Sequence, residues 1–231
     1  MTAAIQPIYL LADSQLLFWK RDGVPFLESI KALLPSAGPK AAYIGASNGD
    51  VLDFFGIFEA AVAGVGLTDY RMIKSSYSTE DASFLKQADL ILLAGGDVER
   101  GWRTLSDTGM SDVIIERYRQ GAVLIGTSAG ATQLGLYGCK EIGPSNTELF
   151  ETLKLVPYMI EAHQEQDQWS SLKDRITLLG GSVKGIGIPA GGGVIYHPDG
   201  DLEAVRFAID EFVVSEGQLE QRILLPDVHR S

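Results

Sequence analysis

Cysteine is nearly missing from this chain of 231 residues. Cys139 is the only one, so no disulfide can close within the chain and a site built on several thiolates is excluded. Histidine is almost as scarce. His163, His197 and His229 are scattered, and none belongs to an H-x-x-x-H or H-E-x-x-H pattern, so no metal site is expected. Positive charge is in deficit too: 19 Lys and Arg stand against 30 Asp and Glu, a net charge of −11. That argues against nucleic-acid and anionic-membrane partners, both of which require gathered cations. No apolar run approaches the ~18 residues of a membrane span. The start, MTAAIQPIYLLADSQ, has no basic segment leading into an apolar stretch and a cleavage site, so a soluble cytoplasmic chain is the expectation. Phosphate-binding signatures are missing as well. There is no Walker loop and no G-x-G-x-x-G after a strand, and no cofactor is expected.

What is present is a regular alternation. Apolar runs at Ile8–Ala12, Ala41–Ala46, Tyr70–Ile73, Asp89–Ala94 and Ala122–Ile125 read as strands. Between them lie helical segments at Pro25–Leu34, Val51–Ala63 and Glu80–Gln87, the last preceded by Ser78 and Thr79, and one or two helices reaching Gln120. Strands that are apolar without interruption are buried on both faces, which implies a mostly parallel sheet under helices. Phe54, Phe55 and Phe58 fall at helical spacing and read as core. The three tryptophans, Trp19, Trp102 and Trp169, read as packing residues.

The second half is less regular. Tyr137–Thr152 reads as a long loop, followed by a short strand at Leu153–Pro157 and a polar segment around His163. A helix is expected at Trp169–Leu179 and strands at Lys184–Pro189, Gly193–His197 and Leu202–Phe207. Short strand pieces at Glu211–Val214 and Arg222–Leu225 close the chain. With no linker or repeat, residues 1–231 read as one three-layer α/β domain: a mostly parallel central sheet, helices on both faces, and a short antiparallel extension near the C-terminus.

The most informative stretch is GAVLIGTSAGA, Gly121 to Ala131. A buried-strand run, then G-x-S-x-G, then small residues able to open a helix is the pattern of a nucleophile elbow. A serine on so sharp a turn needs small neighbours. Its hydroxyl then stands above the sheet edge, and the following N–H, from Ala129, can face a developing oxyanion. Gly95 and Gly96, at the end of another strand, offer a second backbone donor. A serine nucleophile also needs a base. His229 lies in a polar C-terminus and His197 at a turn before Pro198. His163, in an irregular segment after a strand, is the candidate.

The set AGGD (Ala94–Asp97), GTSAGA (Gly126–Ala131), a histidine 35 residues after Ser128, and GIGIPAGGGVI (Gly185–Ile195) resembles the serine peptidase family of dipeptidase E and cyanophycinase. The resemblance implies a class I glutamine amidotransferase-like fold. It matches Ser128 to the nucleophile, His163 to the base, and Gly96 with Ala129 to the oxyanion hole. Asp97 falls where relatives carry a polar residue beside the substrate. It also exposes departures. Ala190 stands where relatives carry the glutamate that orients the histidine, which leaves Glu161 and Glu141 as candidate acids. The arginines that follow the histidine in cyanophycinase are replaced by Gln164, Glu165, Gln166, Asp167 and Gln168, a run suited to a basic or neutral substrate. The expected activity is hydrolysis of a peptide or isopeptide amide in a small substrate, by a monomer or homodimer. The rivals are a binding or regulatory protein that has lost the acid, and an esterase or acyl transferase using the same pair.

Overall fold

A computed structural model of the chain describes residues 4–143 and 146–226, leaving His229 outside the described residues. The first half alternates as its apolar runs imply. β1 (Ile8–Leu11) leads through a 3₁₀ turn at Ser14–Phe18 into the small hairpin β2 (Lys20–Arg21) and β3 (Val24–Pro25). Then come α1 (Phe26–Lys31), β4 (Lys40–Ile44), α2 (Leu52–Gly64), β5 (Asp69–Ile73), α3 (Thr79–Leu85) and β6 (Leu90–Leu93). Next are α4 (Val98–Thr108), α5 (Met110–Arg119), β7 (Val123–Thr127) and α6 (Ala129–Leu134). Local chemistry sets several boundaries. The Ser78 hydroxyl accepts the Asp81 N–H and caps α3. Gly109, at φ +76°, ends α4 and turns the chain into α5.

The second half departs from the sequence reading. The expected loop at Tyr137–Thr152 is an antiparallel hairpin of β8 (Tyr137–Gly143) and β9 (Asn146–Glu151). Charged residues such as Lys140 and Glu148 face each other across it, so neither strand shows an apolar run. The strand expected at Leu153–Pro157 is displaced to β10 (Tyr158–Ala162). The reason lies in backbone satisfaction: the N–H groups of Leu153, Leu155 and Val156 donate to carbonyls of Gln133 and Leu134 at the end of α6. Those carbonyls have no partner within their own helix, so this segment serves as a cap. The chain continues with α7 (Ser170–Leu178), β11 (Lys184–Ile188), β12 (Gly193–Tyr196), β13 (Leu202–Val205), β14 (Ile209–Ser215) and β15 (Gln218–Leu224).

The main sheet has the order β13-β12-β1-β7-β6-β4-β5. Its five strands from β1 to β5 are mutually parallel, and β12 and β13 extend it antiparallel. Alternate side chains feed two cores. Ile8 and Leu10 pack with residues of α3, α4, α5 and α6, whereas Tyr9 and Leu11 pack with α1 and α2. The three-layer α/β architecture expected from the alternation is therefore present.

A second sheet, β10-β11-β14-β15, was not anticipated. The closing strand pieces expected at Glu211–Val214 and Arg222–Leu225 form its long antiparallel hairpin. Its Ile160, Ile186 and Ile188 join the core shared with the main sheet, while Met159 and Phe212 face Trp169, Leu172 and Ile176 of the α7 segment. The alternation G-I-G-I at residues 185–188 follows from this sandwiching. A Cβ on Gly187 would lie 2.5 Å from Cδ2 of Trp169, whose indole N–H donates to Asp210 at 2.7 Å.

Candidate active site

The serine turn sits at the carboxyl end of β7, in the middle of the parallel sheet, where open α/β sheets bind ligands. Ser128 is held at φ +49° and ψ −111°, a conformation that non-glycine residues adopt only under constraint. Two constraints are visible. The Ser128 N–H donates to the Leu11 carbonyl at 2.8 Å. The glycines around it are demanded by close packing: a Cβ on Gly126 would lie 2.6 Å from the Ala131 nitrogen, and one on Gly130 would collide with the Leu93 carbonyl oxygen. The helix can therefore cross directly behind the strand.

His163 arrives from the other sheet. It follows β10 directly, stands at φ +48°, and donates its N–H to the Ile188 carbonyl at 2.8 Å. β10 is itself fastened to the elbow helix, because the Thr132 hydroxyl donates to the Ile160 carbonyl at 3.1 Å. The result is a ring nitrogen, His163 Nε2, 2.8 Å from Ser128 Oγ. That is hydrogen-bond distance for a nucleophile and its base. His197 is elsewhere, paired with Glu203 at 3.1 Å.

Glu161 does not join this pair. Glu161 lies two residues before His163, but one of its carboxylate oxygens accepts from Arg175 at 3.2 Å and the other is buried with no hydrogen-bond partner among the described residues. Burial raises its pKa, and the Arg175 guanidinium works against that rise. Glu141 pairs through its backbone with Thr147 in the β8–β9 hairpin; its side chain lies outside the described residues. Ala190 is exposed, and its N–H donates to Glu165 at 3.3 Å, so a carboxylate from the loop after His163 reaches the Ala190 backbone. Among the described residues, no carboxylate is hydrogen-bonded to the His163 ring.

Gly96 and Ala129 flank the serine, one at the end of β6 and the other at the start of α6. Gly96 has φ +137°, and a Cβ there would collide with the Ser47 carbonyl. Only glycine fits. The Ser47 carbonyl also accepts the Asp97 N–H at 2.8 Å. Asp97 is exposed and uses its side chain to cap α4, accepting the Arg100 N–H at 2.7 Å. Among the described residues, the turn and loop hydrogen bonds leave the Gly96 and Ala129 N–H groups without an acceptor.

Sequence reasoning missed the Ser47–Asn48 turn. It follows β4, and buried Gln133 clamps it by donating to the Ser47 hydroxyl at 3.0 Å and to the Val98 carbonyl at 3.1 Å. The available signal was its position, a Gly-containing turn after a buried strand. Phe54 was also misread. Phe58 is core at 1% exposure, but Phe54 is 51% exposed and lines a cavity of about 250 Å³ beside Ser128 and His163. A second cavity of about 210 Å³ lies on the other side of the pair and reaches Cys139, Glu161 and Arg175. Burial raises the Cys139 thiol pKa, with Arg175 opposing. No group of metal-ligating side chains occurs among the described residues.

Comparison with known proteins decides the family. The profile of peptidase family S51 matches residues 5–201. The chain belongs to that family. Among its relatives, the cyanophycinase of Trichormus variabilis is 29% identical over 187 residues, covering 75% of this chain and 59% of that protein. The Peptidase E of Streptomyces coelicolor is 27% identical over 139 residues, covering 59% of this chain and 56% of its own length. The chain thus spans less than two thirds of the curated S51 relatives it matches. In fold it is similar to a peptidase from an acI-B1 Actinobacterium, at 20% identity and a TM-score of 0.72, over 96% of this chain and 95% of that one. No helix among the described residues of this S51 chain is long and apolar enough to cross a membrane.

Proposed function

We propose that this S51 chain is a serine-type peptidase that cleaves a peptide or isopeptide amide through an acyl-enzyme. Ser128 Oγ attacks the scissile carbonyl carbon while His163 Nε2 takes the hydroxyl proton. The tetrahedral oxyanion is held by the Gly96 and Ala129 N–H groups. As the C–N bond breaks, His163 returns the proton to the leaving amine, and a water activated by the same ring then releases the acyl group. The observation that carries the reading is the 2.8 Å contact between Ser128 Oγ and His163 Nε2 at a strained strand-to-helix turn. Family membership and the two backbone donors support it. In this reading the pair works as a dyad, without a carboxylate bonded to the imidazole.

That no carboxylate among the described residues bonds the imidazole also favours the second reading, a protein that binds peptides and does not cleave them. Covalent labelling separates the two. A fluorophosphonate probe is expected to modify the wild-type chain, to fail with Ser128→Ala, and to react at least about 100-fold more slowly with His163→Ala. A folded wild-type chain inert to the probe between pH 6 and 9 would leave the binding protein as the better reading. Esterase or acyl-transfer activity would emerge from the same chain as a preference for esters or amine acceptors over amides.

A further inference from the structure

The cavity on the α2 side of Ser128 differs in character from the one on the Arg175 side. Its walls include Leu17, Tyr43, Phe54, Ile57 and Phe58. Several polar side chains of the lining are already engaged. The Tyr43 hydroxyl accepts from Asn48 at 2.9 Å, and Asn48 in turn accepts the Val51 N–H at 3.2 Å. Asp13, the only carboxylate in the lining among the described residues, takes the Gly191 N–H at 2.7 Å and the Gln15 N–H at 2.8 Å. Among the described residues neither Lys nor Arg lines the cavity, so a substrate carboxylate entering it would lose water and gain no cation from them. With about 250 Å³ the cavity falls just below the range of about 300–1,000 Å³ typical of whole small-molecule sites. It suits one side chain.

Resting on the peptidase reading above, we infer that this cavity is a specificity pocket for an uncharged, apolar residue of leucine, methionine or phenylalanine size, one of the two residues flanking the scissile bond. An acidic residue is excluded from it. Half-exposed Phe54 forms the outer wall and buried Phe58 the floor. The Glu161–Arg175 side of the pair takes the other flank, so the two ends of the substrate meet different chemistry.

Two measurements test this. In the first, dipeptides and aminoacyl p-nitroanilides carrying Leu, Met, Phe, Gly, Asp or Lys on each side of the cleaved bond are compared by kcat/KM. The apolar residues should exceed Gly and Asp by about 10- to 100-fold at one flank, the gain expected from burying such a side chain. Phe54→Ala and Ile57→Ala should remove most of that advantage, chiefly through KM. Phe54 is exposed enough that its truncation should not unfold the chain. In the second, N-acetyl-leucinamide and N-acetyl-aspartamide are titrated into the Ser128→Ala chain by calorimetry, which needs no catalysis. The leucine compound should bind at least about tenfold more tightly. Equal binding, or a preference for Asp at both flanks, overturns the pocket and leaves a fluorophosphonate-reactive Ser128 standing. Selective leucine binding by a chain that the probe never labels overturns the peptidase reading and leaves the pocket.

Discussion

Glu161 and Arg175 form an unequal pair: one carboxylate oxygen meets the guanidinium at 3.2 Å, and the other is buried without a hydrogen bond among the described residues. Burial is the larger influence and raises the Glu161 pKa above its ordinary 4.5. In the pH range just above 4.5 the folded chain then binds more protons than the unfolded chain. Its stability must therefore fall as pH rises through that range. The Glu161→Gln chain has no such titration, so its melting temperature relative to wild type should improve between pH 4 and pH 8. A difference that stays flat, or moves the other way, would show that Arg175 compensates the buried charge fully.

The elbow's glycines allow a sharper test. A methyl group on Gly130 would collide with the Leu93 carbonyl oxygen, a backbone atom that cannot step aside. Gly130→Ala should cost about 1–3 kcal/mol or more, read from urea denaturation. The control is Gly56→Ala, in α2 with nothing within 4 Å of the added carbon. It should be neutral or gain up to about 1 kcal/mol.

Thr132 ties α6 to β10 at the site through its hydroxyl on the Ile160 carbonyl, two residues before Ala162 and three before His163. Thr132→Val keeps the shape and removes the bond. The expected loss is about 0.5–1.5 kcal/mol of stability. Fluorophosphonate labelling should slow as well, since His163 depends on β10 for its position. Labelling at the wild-type rate in the destabilised variant would show that the Ile188 contact alone holds the histidine.

Cys139 should be a sluggish thiol. Its pKa is raised by burial despite the nearby Arg175, and the thiolate is the reactive form. Iodoacetamide at pH 7.5 should alkylate it more slowly than it alkylates free cysteine, and Arg175→Gln should slow it further. Faster reaction than free cysteine would contradict the burial argument.

Much of the parallel sheet was legible because both its faces are covered. Burial on two sides leaves unbroken runs such as LILL of β6 and IYLL of β1, and these need no knowledge of what covers them. The sharp turn at Ser128 was legible for a similarly local reason, since the chain reverses within a few residues and every neighbour must be small. The β8–β9 hairpin was not, because charged residues interrupt its strands and leave no long apolar run. Tertiary structure alone decided the rest. It built a second sheet from β10, β11, β14 and β15, carried His163 across 35 residues to Ser128, turned Glu161 onto Arg175, and made Phe54 a cavity wall. Periodicity records which face of an element is buried, whereas the partner that buries it depends on how distant elements pack. For this protein the sequence determined the scaffold and the turn, and the packing of the second sheet against α6 decided what stands opposite the serine.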